Sequence, residues 1–186
     1  MEVNPIKDIE AISNLKKYLK KKPRDYALFV LGINTGLRIG DLRTLTVGQV
    51  RGLSPMTDLV LKEEKTGKTR RITINQSAYD AMQYLLASMP EAGDTLLLFQ
   101  SRTRGNQPLT VPYLSRLIKS WCRDVGIEDN CASHTLKKTF GFIQVQVFGI
   151  PVYLLCKMFG HSSESITLKY IGLQEKDMKE AYQNCI

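Results

Sequence analysis

Residues 160–172 read GHSSESITLKYIG and place a histidine, His161, nine residues before a tyrosine, Tyr170. On one continuous helix, nine residues at about 100° each would put the two side chains on opposite faces. Gly160 is suited to end a preceding helix, and Ser163 is suited to cap a new one that carries Tyr170. This break lets both side chains face one site.

The chain has a second histidine, His134, in the stretch HTLKKT at 134–139. Ser133 is predicted to cap a helix that starts at His134. His134 and Lys137 are then i, i+3 neighbours on one helix face, so one ligand oxygen group could receive a donor from each. The two histidines therefore begin two polar clusters beside helix boundaries.

An arginine follows a helix stop in GINTGLRIGDL, residues 32–42. Gly36 is predicted to end an apolar helix that starts near residue 24, and Arg38 to open a short helix over 39–45. Its guanidinium can join the helix N-terminal amides in holding an anion, and Asp41 could orient it. This segment predicts part of a phosphate cradle.

Two strand-like segments, 58–63 and 70–75, flank the turn signal Thr66-Gly67 in EKTGKTRRITI at 64–74. They predict a β-hairpin with Lys65 and Lys68 at its tip. A lysine ammonium can donate a proton as well as carry charge, and Lys65 at a hairpin tip can reach a substrate.

The rest of the chain is mainly helical, with apolar spacing that predicts helices over 9–19, 78–89 and 111–125, the last capped by Thr110. The last segment, 174–186, carries an apolar stripe. We find no repeat and no long linker, which favours one mostly helical domain over residues 1–186.

Composition points to a polyanionic partner, because 26 Lys and Arg against 18 Asp and Glu give a net charge of +8. No apolar run approaches the roughly 20 residues of a membrane span, and the N-terminus lacks a signal-peptide pattern. A soluble, cytoplasmic protein is expected.

The four cysteines have no zinc-type spacing and are expected to be reduced, so neither metal nor cofactor is predicted; the cysteines are Cys122, Cys131, Cys156 and Cys185.

Taken in chain order, GINTGLRIGDL, EKTGKTRRITI, HTLKKT and GHSSESITLKYIG resemble the catalytic domain of tyrosine recombinases, the phage integrase family, over nearly the whole chain. The resemblance implies a mainly α fold with a small β-hairpin or three-stranded antiparallel sheet. It also implies one catalytic domain over 1–186 without the N-terminal core-binding domain usual in integrases. The catalytic residues it implies are Arg38, Lys65, His134, Lys137, His161 and the nucleophile Tyr170.

One position departs from the family pattern, because Lys137 stands where the family has its second arginine. A lysine keeps the charge but loses the bidentate fork that a guanidinium offers to two phosphate oxygens. Slower cleavage with retained binding is the expectation.

The implied activity is site-specific recombination of double-stranded DNA, in integration or excision, through a 3′-phosphotyrosyl intermediate and without a cofactor. Further phosphate contacts are expected from Lys68, Arg70, Arg71 and Lys138. The resemblance also implies self-association on DNA through the C-terminal segment.

Two alternative functions share these residues. One is a catalytically weakened domain that only binds DNA. The other is a relaxation activity like that of a type IB topoisomerase, which rejoins the same strand. A covalent adduct would exclude the first, and supercoil relaxation without strand exchange would favour the second.

Overall fold

The computed structural model describes residues 3–65, 67–101 and 105–173, and within them it contains nine helices and one β-hairpin. No helix of this described part is long and apolar enough to cross a membrane. The elements, in chain order, are α1 Ile9–Leu19, α2 Pro23–Thr35, α3 Ile39–Arg43, α4 Val47–Arg51, β1 Asp58–Lys62, β2 Thr69–Thr73, α5 Gln76–Ala87, α6 Val111–Asp124, α7 Thr135–Gln146, α8 Val152–Phe159 and α9 Glu164–Ile171.

Most predicted helix boundaries are confirmed by the caps. Gly36 ends α2 with a φ of 60°, in the left-handed region that glycine adopts without strain, and Gly160 ends α8 in the same way. The Thr110 side chain accepts a hydrogen bond from the backbone N–H of Tyr113 at the start of α6. Ser163 caps α9, the helix that carries Tyr170.

Three helix starts differ from the prediction, and one of them is that of α5, which begins at Gln76 and not at residue 78 because Asn75 caps it. The first residue of α7 is Thr135, and Ser133 does not cap it; the Thr135 hydroxyl accepts a hydrogen bond from Ala132 N–H and closes the turn instead. Helix α4 was not predicted, although Thr46 and Gln49 form a reciprocal capping box at its start. With five residues, α4 is too short for a periodic pattern.

The core is built around α2, which is apolar on nearly all sides and packs against α5 on one side and α7 on the other. A separate small core joins the last three helices and consists of Phe140, Leu155, Phe159 and Ile171. Gly141 permits this packing, because a Cβ there would lie 2.6 Å from Ile171 Cγ2. The segments that carry both histidines and Tyr170 therefore share one apolar support.

The predicted hairpin is present as an antiparallel pair, with Asp58 opposite Thr73 and Lys62 opposite Thr69. Leu59 and Leu61 of β1 point into the protein and are buried, while their neighbours on the strand are exposed. Of the two predicted sheet forms, the described residues contain the two-stranded one. Part of the predicted turn, Thr66, lies outside the described residues, as does the predicted apolar stripe of 174–186.

Candidate active site

Tyr170 and His134 are brought together by the packing of α9 against α7. His134 Nδ1 lies 3.2 Å from the Tyr170 hydroxyl, and the two rings meet edge to face. The residues are 36 positions apart, so only the tertiary fold makes this contact. The distance permits a proton to pass between the phenol and the imidazole.

His161 completes the group of rings and is fixed by a hydroxyl. Its Nδ1 lies 3.0 Å from Oγ1 of the fully buried Thr167, and its ring centroid lies 5.3 Å from that of Tyr170. Phe159 packs edge to face against both rings. The other ring nitrogen of His161, Nε2, is thereby left for a ligand. As predicted, the helix break at 160–163 brings His161 and Tyr170 to one site.

Lys137 is the most deeply placed cation of the cluster. Its side-chain nitrogen lies 4.2 Å from the centroid of the Phe159 ring and has no hydrogen-bond partner among the described residues. The residue is 3% exposed, so its charge is compensated neither by water nor by a bonded anion. A buried ammonium without an acceptor is typical of a site that binds an anion.

Arg38 faces this cluster from the α2–α3 junction and forms an ion pair with Glu63, at 2.8 Å between Nη1 and Oε1. The same carboxylate oxygen pairs with Arg70 at 3.1 Å. Asp41 does not serve Arg38 in the way the sequence suggested. Its Oδ1 accepts a hydrogen bond from the backbone N–H of Glu64, which docks the hairpin base on α3.

Lys65 is exposed in the hairpin turn. Its charge still reaches the cluster, since it is among the cations that lower the pKa of His134. Five of the six predicted catalytic residues therefore form a cluster, and the sixth is held nearby on the hairpin.

The four predicted DNA contacts differ in accessibility. Lys68 and Arg71 are exposed on the hairpin. Arg70 is largely buried and donates a hydrogen bond to the carbonyl of Met158. Lys138 is 6% exposed, with its ammonium 5.3 Å from the centroid of the Tyr170 ring. The last two thus lie in the wall of the cluster.

Burial and like charges set the protonation states of the cluster. Burial raises the pKa of Tyr170 to about 12, and the Arg38 charge partly opposes this. Burial, followed by the charges of Lys138 and Lys137, lowers the pKa of His134 below its usual value, so its imidazole is neutral at pH 7. Burial and the charges of Arg70 and Arg38 lower the pKa of Lys137 to about 7.

Sequence reasoning missed three residues that build the site. Glu63 was read only as a strand end, and its pairing with two arginines depends on tertiary structure. Phe159 supports Lys137 and two site rings. Thr167 was detectable in principle, because it lies three residues before Tyr170 on the same helix face.

Cations around the buried ammonium of Lys137, and a tyrosine beside a histidine, match the pattern of the family that the sequence resembles. The phage integrase family model matches residues 5–177. The chain therefore belongs to the phage integrase family of tyrosine recombinases, which are enzymes of site-specific DNA recombination.

Individual relatives agree with this membership. The chain is 35% identical over 182 residues to the probable integrase/recombinase YoeC of Bacillus subtilis (strain 168), covering 97% of this chain and 96% of that protein. It is 27% identical to tyrosine recombinase XerA of Pyrococcus furiosus over 88% of this chain, but it covers only 55% of XerA. The match thus spans nearly all of YoeC and about half of the XerA relative.

Solved structures confirm the fold. The crystal structure of XerA recombinase superposes with a TM-score of 0.77 at 21% identity, covering 98% of this chain and 63% of that one. The XerH site-specific recombinase bound to its palindromic difH substrate superposes with a TM-score of 0.75 at 18% identity, covering 95% and 51%. The predicted fold class is confirmed, in its two-stranded form.

Proposed function

We propose that this chain cleaves and rejoins DNA strands during site-specific recombination, with Tyr170 as the nucleophile. The observation that carries the proposal is the 3.2 Å approach of His134 Nδ1 to the Tyr170 hydroxyl beside a buried, unpaired ammonium, that of Lys137. A phenol whose pKa is near 12 needs a base and a positive environment before it can attack a phosphodiester.

The proposed step begins with neutral His134 accepting the phenol proton as the Tyr170 oxygen forms a bond to phosphorus. The bond from phosphorus to the 5′-oxygen breaks, which leaves a 3′-phosphotyrosyl link. Lys65 donates its proton to the departing 5′-oxygen. A 5′-hydroxyl of the partner strand then reverses the step, so the energy of the phosphodiester is conserved without a cofactor.

The negative charge that builds on the non-bridging phosphate oxygens needs cations close by. Arg38 and Lys137 are proposed to supply them, and His161 is proposed to bind the same oxygens from a third segment as a neutral ring, because burial and the charges of Lys137 and Arg38 lower its pKa. The entering phosphate would provide Lys137 with the acceptor that the described protein residues do not.

Phosphate groups further along the duplex are proposed to contact the exposed hairpin side chains Lys68 and Arg71. Arg70 and Lys138, being largely buried, are proposed to act on the DNA through the field at the scissile phosphate. Such contacts position the duplex and do not read its sequence.

The test is to trap the covalent intermediate. End-labelled duplexes carry a nick near the cleavage site, so the short fragment with the new 5′-hydroxyl dissociates after cleavage. The labelled strand then stays linked to the tyrosine and cannot be rejoined. Incubated without metal or ATP and resolved on a denaturing gel, the wild-type chain should carry label, and Tyr170→Phe should carry none.

Tyr153→Phe is the matched control, because Tyr153 is exposed on α8 and lies outside the cluster. It should form adduct at the wild-type level. DNA binding without any adduct would replace the proposal with a DNA-binding domain that does not cleave. Relaxation of supercoils without exchange would instead indicate topoisomerase-like activity.

Self-association on DNA is proposed to use the C-terminal segment, residues 174–186, whose apolar stripe comprises Met178, Ala181, Tyr182 and Cys185. Exposed apolar side chains just after α7 and on α8, among them Phe148 and Leu154, offer a complementary surface on a second copy. A chain ending at Gly172 should bind a single half-site normally and lose DNA-dependent assembly in sedimentation. Unchanged assembly would contradict this.

A further inference from the structure

Glu63 lies among the cations of the site. Its Oε1 is 2.8 Å from Nη1 of Arg38 and 3.1 Å from Nη1 of Arg70, and its side chain is 11% exposed. Two guanidinium groups that share one oxygen would repel each other without the carboxylate, and little water reaches this place to screen them. Glu63 therefore touches both arginines: Arg70 Nη1 donates a hydrogen bond to it, and Arg38 pairs with it by charge without hydrogen-bond geometry.

The same carboxylate joins segments that carry three different proposed catalytic residues. Arg38 lies at the α2–α3 junction, and Glu63 precedes the hairpin-turn residue Lys65 by two positions. Arg70, on β2, also donates from Nη2 to the carbonyl of Met158, at 2.9 Å. Met158 lies near the end of α8, three residues before His161, so the ion pairs connect α3, the hairpin and α8.

A second contact holds the hairpin base without touching Arg38. Glu64 pairs with Arg43 at 2.9 Å, and its backbone N–H donates to Asp41. Gly40 leaves room for this side chain, since a Cβ there would lie 2.7 Å from Oε2 of Glu64. The hairpin base is thus held at two consecutive glutamates, by Glu64 on α3 and by Glu63 through the two arginines.

We propose that Glu63 is a positioning residue for strand cleavage: it fixes the guanidinium of Arg38 toward the phosphate and sets the hairpin base so that Lys65 reaches the leaving oxygen. The proposal rests on the proposed function. It opposes a simple electrostatic expectation, in which a carboxylate beside a phosphate site competes with the phosphate and slows the reaction.

The first experiment needs no DNA cleavage. The melting temperatures of wild type, Arg38→Ala, Glu63→Gln and the double variant form a double-mutant cycle. We expect the melting temperature of the double variant to decrease by less than the sum of the two single decreases. The reason is that each single change leaves a charged or polar partner unpaired. Additive losses would overturn the proposal. The equivalent cycle at the exposed pair of Arg51 and Asp94 should be additive.

The second experiment separates positioning from competition. Glu63→Gln keeps the shape of the side chain and removes its charge. At saturating nicked duplex, we expect single-turnover cleavage to slow by roughly tenfold or more, the loss typical of misplaced catalytic groups, while the DNA dissociation constant changes by less than about threefold. Glu63→Asp should recover part of the rate. Cleavage as fast as wild type, or faster, would overturn the proposal.

A substrate with sulfur in place of the bridging 5′-oxygen tests the link to Lys65. A thiolate leaves without a proton, so a defect in delivering Lys65 no longer matters on this substrate. On this substrate, the ratio of the wild-type rate to the Glu63→Gln rate should fall by at least about threefold. The ratio that remains measures the effect of Glu63 on Arg38. An unchanged difference would overturn the link to the hairpin. If wild type itself gave no adduct, the proposed function would fail, and the melting cycle would still test the ion-pair bridge.

Discussion

The two halves of the candidate site are held together by different forces. On the α7–α9 side, His161 and Tyr170 pack on Phe159, whose ring belongs to a small apolar core, and His134 contacts Tyr170. On the hairpin side, ion pairs hold the base of the strands, and Lys65 is exposed in the turn. Packing thus builds the nucleophile side before DNA arrives, whereas the proposed proton donor is placed by charges and completes the site on binding.

The largest effect is expected from the exposed side. Lys65→Ala removes the proposed proton donor from an exposed position, so cleavage of an ordinary duplex should fall by roughly 100-fold or more. The free energy of unfolding should not change measurably. The readouts are single-turnover adduct formation and a thermal melt.

Lys68→Ala is the matched control, because Lys68 is an exposed lysine of the same hairpin. It should weaken DNA binding slightly, with a smaller salt dependence, and leave the cleavage rate of bound DNA intact. Equal losses of cleavage for the two variants would show that hairpin charge, and not Lys65, limits the reaction.

The packed side should respond through stability instead. Gly141→Ala places a Cβ 2.6 Å from Ile171 Cγ2 and 3.0 Å from two Phe159 ring atoms, so helices α7 and α9 must move apart. Overpacking of this kind costs about 1–3 kcal/mol of unfolding free energy. Chemical denaturation measures this loss, and adduct formation should fall with it, because His134 and Tyr170 lie on the two helices.

Gly52→Ala serves as the control, since a Cβ at Gly52 meets nothing within 4 Å. It should leave stability near the wild-type value. If Gly141→Ala destabilised the fold without slowing cleavage below the melting range, the contact between His134 and Tyr170 would not depend on this core.

Lys137 lies between the two halves, and its protonation should make the wild-type reaction depend on pH. Burial and two arginines lower its pKa to about 7, while the carboxylates of Glu63 and Asp41 oppose them. A lysine with a lowered pKa is charged below pH 7 and neutral above it, so the free wild-type site loses a cation as pH rises. An arginine at this position stays charged.

The cleavage rate of Lys137→Arg relative to wild type should therefore rise with pH. At subsaturating DNA, which reports the free protein, the ratio should grow by roughly tenfold between pH 6 and pH 8. Taking the ratio cancels the titration of groups whose pKa does not depend on the charge at position 137, such as Tyr170. A ratio that stays constant over this range would mean that Lys137 keeps its proton in the active protein.

The sequence was sufficient to predict much of this arrangement, because helix caps and motif order are local signals. Gly36, Gly160 and Ser163 set helix ends at the positions that their chemistry predicts. The burial of Lys137 under Phe159 and the bridge through Glu63 join residues distant along the chain, and no local pattern encodes such pairs. The helix ends were therefore predictable, whereas the contacts between distant segments, whether packed or ionic, were not.

The smallest effect should come from the hydroxyl that orients His161. Thr167→Val keeps the shape of a fully buried side chain but removes the partner 3.0 Å from His161 Nδ1. Losing one such hydrogen bond corresponds to about 1 kcal/mol, so cleavage should slow by roughly fivefold. Thr167→Ser retains the hydroxyl and should stay within about twofold of wild type. Because Phe159 also packs on the His161 ring, a much larger loss for Thr167→Val would mean that the hydroxyl, and not the aromatic packing, sets the ring orientation, which would weaken the contrast between the two halves of the site.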